Sequence, residues 1–171
     1  RAAGYDVMGV DPDTGRLAFA DDKGIPCLPG APRGNALFKE RTRLALECSG
    51  IESALLDCCH CVRRHGEVVL TGVPWKPRSE VHAHEVAHAV FRNLLTLRSG
   101  WEWQIPRHPD PFHPASVFGN LATSLRWIAE GRIDVEGLYA TRPPEDCSAA
   151  YAELAAGKTR SLTTLFDWRN A

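Results

Sequence analysis

Apolar and polar positions follow two rhythms along this chain. Short runs that are apolar throughout alternate with longer stretches whose apolar residues recur at helical spacing. Residues 6–10 form the first run, and Asp11-Pro12 ends it, because proline cannot extend a strand interior. Asp13 or Thr14 then suits the cap of a helix reaching Lys23, with Gly24 as its stop. Residues 25–28 predict a brief strand, residues 29–35 a Pro/Gly-rich loop, and residues 44–48 a strand closed by Ser49-Gly50. Ile51, Ala54, Leu55, Cys58, Cys59 and Val62 then fall on one helical face, ending before Gly66. Residues 68–73 predict a strand stopped by Pro74, residues 80–93 a helix, and residues 94–103 an extended segment. After a proline-rich loop at 104–114, a helix over 115–130 carries Val117, Leu121, Leu125 and Ile128 on one face. Cys147, Ala150, Tyr151 and Leu154 mark another helix, and residues 161–166 a closing strand. Apolar strands alternating with helices predict an α/β fold: a doubly wound, mostly parallel sheet covered on both faces.

Composition narrows the function classes. With 171 residues the length suits one domain, and 44% hydrophobic with 24% charged residues is a globular profile. Twenty Lys+Arg against 21 Asp+Glu give a net charge of −1, which offers nucleic acid no basic footprint. No apolar run approaches the ~18 residues of a membrane span, so no membrane partner is expected. Six cysteines, three of them within residues 58–61, do not make a disulfide framework in a chain of this length. A reducing cytoplasm is the expected location. Residues 1–4 read as the end of a helix capped by Gly4, so the 171 residues are expected to be part of a longer polypeptide.

In a doubly wound sheet, ligands sit at the carboxyl ends of the strands. Here those ends carry Asp11, then Cys48-Ser49-Gly50, then Gly72-Val73-Pro74. A carboxylate ending an early strand suits a ribose diol and repels a 2′-phosphate, while glycines let a flat ring approach the backbone. The combination points to a dinucleotide.

These residues resemble the medium-chain dehydrogenase/reductase family, specifically the nucleotide-binding half of a zinc-type alcohol dehydrogenase. The resemblance runs through residues 6–20, through Leu-Glu-Cys-Ser-Gly and Gly-Glu-Val-Val-Leu-Thr-Gly within 44–72, through 96–103, and through 128–166. It implies that residues 1–171 are part of a Rossmann-like NAD-binding domain, in strand order 3-2-1-4-5-6 but without the first strand. The Gly-x-Gly-x-x-Gly turn and the GroES-like catalytic domain are also absent from these residues. It further implies that Asp11 binds the adenosine ribose, with Arg16 beside it. Cys48, Ser49 and Gly50, then Gly72 and Val73, would line the cofactor cleft, and Ser99, Gly100 and Trp101 would meet the carboxamide. In the family the zinc ligands and proton relay lie in the catalytic domain, so no catalytic or metal residue is assigned to this chain. The implied function is cofactor binding for hydride transfer between an alcohol or polyol carbon and NAD. The expected assembly is a homodimer through residues 96–103. On its own, the 171-residue chain is expected to bind cofactor weakly or not at all and to be inactive.

Two other readings compete. One is a non-catalytic nucleotide-binding or assembly module derived from the same family. The other is a zinc metalloprotease, because His84-Glu85-Val86-Ala87-His88 is a literal His-Glu-x-x-His. That pattern lacks a third ligand at suitable spacing, with Leu94 where one class of such enzymes has histidine. Cys58, Cys61 and His65 share a helical face but are expected to be core rather than ligands.

Overall fold

A computed structural model describes residues 1–159 and 161–169. The chain divides into two compact units, one of residues 1 and 3–120, the other of residue 2 and residues 121–171. The first holds β1 (Gly9–Val10), α1 (Thr14–Asp22), β2 (Cys27–Leu28), α2 (Ala36–Arg41), β3 (Leu44–Glu47), α3 (Glu52–Cys61), β4 (Glu67–Leu70), α4 (Ala83–Asn93) and β5 (Thr96–Ser99). The helix α5 (Val117–Ala129) crosses the division, and β6 (Tyr139–Arg142), α6 (Cys147–Ala155) and β7 (Thr163–Phe166) belong to the second unit.

Among the described residues every strand ladder is parallel, apart from one isolated antiparallel bridge between Asp110 and His113. In the first unit β1 pairs with β2, and β3, β4 and β5 form a three-stranded sheet with β4 in the middle. Ala45, Val68 and Leu97 stand in register across it. Taken separately, β2-β1 and β3-β4-β5 each agree with part of the expected doubly wound order, and among the described residues no ladder joins the two sheets. Both open edges carry exposed apolar side chains: Val10 on β1, Leu44 and Leu46 on β3. The α/β, parallel, Rossmann-like class read from the sequence is the fold observed.

The core lies where α3 and α4 cover the larger sheet. Leu56 and Cys59 from α3, with Val62 just past its end, meet Val68 of β4, Ala89 of α4 and Leu95. Of the predicted face, Leu55, Cys58, Cys59 and Val62 join or pack against this core, Leu56 is added, and Ile51 and Ala54 are half-buried. Asp13 caps α1 through its side chain, which accepts the Arg16 amide at 2.9 Å, and Gly24 follows in the left-handed region. The end of α4 uses Leu94 at φ +52 for the same purpose.

Several expectations change. The first strand shrinks from residues 6–10 to Gly9–Val10, because β2 supplies a ladder only that long. Residues 36–43, to which the periodicity gives no element, hold the short helix α2. Residues 94–103 are extended only over β5, and then turn into one 3₁₀ turn at Glu102–Gln104. The strand at the chain's end pairs with β6, which the sequence reading missed, in a separate two-stranded sheet. In α5 the apolar face is exposed at Leu121, Leu125 and Ile128.

Candidate functional site

The carboxyl end of β1 delivers Asp11. Its amide donates to the Leu28 carbonyl, prolonging the ladder by one residue before Pro12 ends it. The Asp11 carboxylate takes a fork from Arg16, with Nε on Oδ2 at 2.8 Å and Nη2 on Oδ1 at 2.9 Å. Oδ1 also accepts the Asp13 amide at 2.8 Å. The Arg16 hydrogen bonds hold the Asp11 carboxyl below the usual carboxylate range. Both side chains stay accessible, at 34% for Asp11 and 51% for Arg16. The sequence reading brought these two residues together, and the structure does so too.

The ends of β3, β4 and β5 form a second group. Glu47, the last residue of β3, is 3% exposed. Its carboxylate accepts the Ser49 amide at 2.7 Å, the Ser49 hydroxyl, and the Gly50 amide at 3.0 Å. Its carbonyl accepts the amides of Thr71 and Gly72 and the Thr71 hydroxyl, all within 2.8 Å. One residue therefore organises the loops after two neighbouring strands. Cys48 lies beside them, with its sulfur 3.2 Å from the Thr71 hydroxyl.

Glycines let these loops touch backbone to backbone. A Cβ on Gly72 would lie 2.2 Å from the Gly50 nitrogen, and one on Gly50 would lie 2.5 Å from the Val73 oxygen. Gly50 also holds φ +68. Gly100 donates its amide to the Leu70 carbonyl at 2.7 Å, and a Cβ there would strike Thr71 and Val69. The sequence reading gave the glycines after β3 and β4 to an approaching ring, whereas in the structure their close approach is to one another. Ser99 turns its hydroxyl back to accept the Trp101 amide at 3.1 Å, and Trp101 is half exposed. Cys48, Ser49, Gly50, Gly72 and Val73 thus share one cluster, and Gly100 adjoins it. Asp11 and Arg16 belong to the other sheet of the first unit.

Glu47 and Thr71 were missed as organisers. The available signal was an acid closing an otherwise apolar strand, directly before Ser-Gly, where loose backbone amides need an acceptor.

The His-Glu-x-x-His segment has a structural use. Glu85 sits in the first turn of α4 and accepts the His82 amide at 2.9 Å, as an N-terminal box residue does. Among the described residues no three His, Cys, Asp or Glu side chains gather as a metal-holding group. Burial pushes the Cys58 thiol up to about 12, with the Glu47 charge adding to it, and burial raises Cys59 and Cys61 as well. Cys59 lies in the core and Cys58 packs against it, Cys61 is half-buried, and His65, expected in the core with them, is instead exposed at φ +59. No helix among the described residues is long and apolar enough to cross a membrane.

Parallel strands with crossover helices and loops gathered at the strand carboxyl ends define a Rossmann-like α/β protein. No family model matches the sequence, and no curated protein is significantly similar to it. Solved structures do share its fold. Galactitol-1-phosphate dehydrogenase from Escherichia coli superposes with a TM-score of 0.69 at 17% identity, covering 91% of this chain. Acetophenone reductase from Geotrichum candidum, solved with NAD, gives 0.68 at 14% identity and 99% coverage. The 2R,3R-butanediol dehydrogenase of Bacillus subtilis gives 0.66 at 16% identity and 97% coverage. The chain spans 44–45% of the length of these three proteins.

Proposed function

We propose that residues 1–171 supply the nicotinamide-dinucleotide-binding part of an NAD-dependent alcohol or polyol dehydrogenase. The observation that carries this reading is Asp11. It is an accessible carboxylate at the carboxyl end of a parallel strand, kept ionised by Arg16 and oriented by the Asp13 amide. An acid so placed suits a ribose diol and disfavours a 2′-phosphate. The alcohol and polyol dehydrogenases that share the fold, one of them solved with NAD, support the choice of cofactor and reaction class.

The residues present fit the two ends of a dinucleotide. Asp11 and Arg16 take the adenosine ribose. The loops carrying Cys48, Ser49 and Gly50, then Gly72 and Val73, then Ser99, Gly100 and Trp101 line the nicotinamide end. When bound, NAD supplies the hydride acceptor. The chain's own task is to bind it and fix its orientation. Proton transfer and zinc chemistry belong, on this reading, to residues outside this chain, as does most of the alcohol pocket. The open sides of β1 and β3 would take the missing first strand between them. The reading places the protein in the cytoplasm, with no nucleic acid or membrane partner.

Calorimetry with NAD and NADP on the polypeptide carrying these residues tests it. Asp11→Ser removes a charge facing any 2′-phosphate, worth about tenfold in affinity at such a separation. The NAD-to-NADP affinity ratio should fall by about that factor. An unchanged ratio removes Asp11 from the site, and binding of neither nucleotide refutes the reading as a whole.

A further inference from the structure

The histidines of the His-Glu-x-x-His segment have no role in the proposed cofactor site. His84 and His88 stand four residues apart on α4, so they are neighbours on one helical face. Both are exposed, and their rings lie nearly parallel, at 23°, with centroids 6.1 Å apart. At the right-angled or tetrahedral N–metal–N angles of such ions, two imidazoles with nitrogens about 2.1 Å from one ion have ring centres roughly 4.6–5.3 Å apart. The two rings must therefore close by about 1 Å, a side-chain rotamer adjustment that two exposed histidines can make.

We propose that His84 and His88 form a bidentate surface site for a divalent transition cation of the nickel, copper or zinc type. Imidazole nitrogen suits these ions, and hard cations such as magnesium or calcium are left aside because they require oxygen. Glu85 adds a negative charge to the same turn, but its Oε1 is held by the His82 amide, so it is not counted as a ligand. With no third His, Cys, Asp or Glu gathered there among the described residues, the other coordination positions fall to water. The site is therefore a chelate on a rigid helix, unlike a protease centre, which needs a third protein ligand and a free general base.

The test is a calorimetric titration of Ni²⁺ into the polypeptide carrying residues 1–171. Its thiols are alkylated beforehand, so that Cys48 and Cys147, both exposed, take no metal. One Ni²⁺ per chain is expected at this site. His84→Ala and His88→Ala should each weaken it by about tenfold or more, because each removes half of a chelate. Alanine favours the helix, so both variants keep α4, which circular dichroism verifies. His113→Ala, on a loop outside α4, should leave binding in place. No uptake up to ~1 mM Ni²⁺, affinity equal to wild type in both pair variants, or loss of the site in His113→Ala would each overturn the proposal.

Discussion

A carboxylate that is 3% exposed ordinarily calls for a cation, and Glu47 has backbone amides instead. Truncating it leaves the Ser49 and Gly50 amides without their acceptor, and each buried unsatisfied donor costs about 1–3 kcal/mol. Glu47→Ala is therefore expected to lower unfolding free energy by at least ~2 kcal/mol in urea titrations. A loss within ~0.5 kcal/mol would mean that water replaces the carboxylate without penalty. This residue also marks the limit of sequence reading at this scale. The apolar run placed the strand itself within one residue, at Leu44–Glu47, but not its burial, since Leu44 and Leu46 are exposed and Glu47 is the covered residue. Such a run does not tell where a carboxylate's lone pairs go, which depends on loops that meet only in the folded chain. Asp11 was legible because its partners, Asp13 and Arg16, are local in sequence.

At the level of elements, periodicity served the long segments best. The helices α3, α4, α5 and α6 and the strands β3, β4 and β5 follow from it within a few residues. The helix α2 is too short for its period to show, and β6, no shorter than β3 or β4, escaped because Tyr139-Ala140-Thr141-Arg142 is not apolar throughout. The packing between elements was legible only in part. The glycines were seen at the correct strand ends, but the contacts between the loops that carry them were not. Gly72→Ala tests those contacts. Its new Cβ would fall 2.2 Å from the Gly50 nitrogen, against backbone that cannot rotate away. Over-packing of this kind usually costs about 1–3 kcal/mol, and this contact belongs at the upper end. A thermal melt that is unshifted from wild type would show that the two loops part easily.

At the scale of the whole molecule, the edges of the larger sheet bear on assembly. β5 lies at one edge, where Leu97 is flanked by the exposed Thr96, Arg98 and Ser99. Arg98 reaches back to Glu67 of β4, so the edge is less apolar than residues 96–103 suggested. On the proposed reading, its outer row of backbone groups would seat a second copy in an isologous pair. Sedimentation at micromolar concentration is expected to report a dimer. A proline at Leu97, on the edge strand, should return it to monomer, and a wild-type monomer would set the dimer aside.

The joined loops after β3, β4 and β5 carry one more consequence, in time rather than in space. The Glu47 carbonyl holds the Thr71 and Gly72 amides, its carboxylate holds those of Ser49 and Gly50, and Leu70 holds Gly100. The loop after β4 cannot open without breaking bonds to Glu47 of β3, nor Gly100 without breaking one to Leu70 of β4, and the Cys48 sulfur ties the loop after β3 to Thr71. Their amides should therefore exchange with deuterium as one cooperative unit, at a common rate, rather than in the order of their individual exposure. Such a floor would breathe rarely and all at once. Ser49 and Gly50 exchanging far faster than Thr71 and Gly72 would show three independent loops instead.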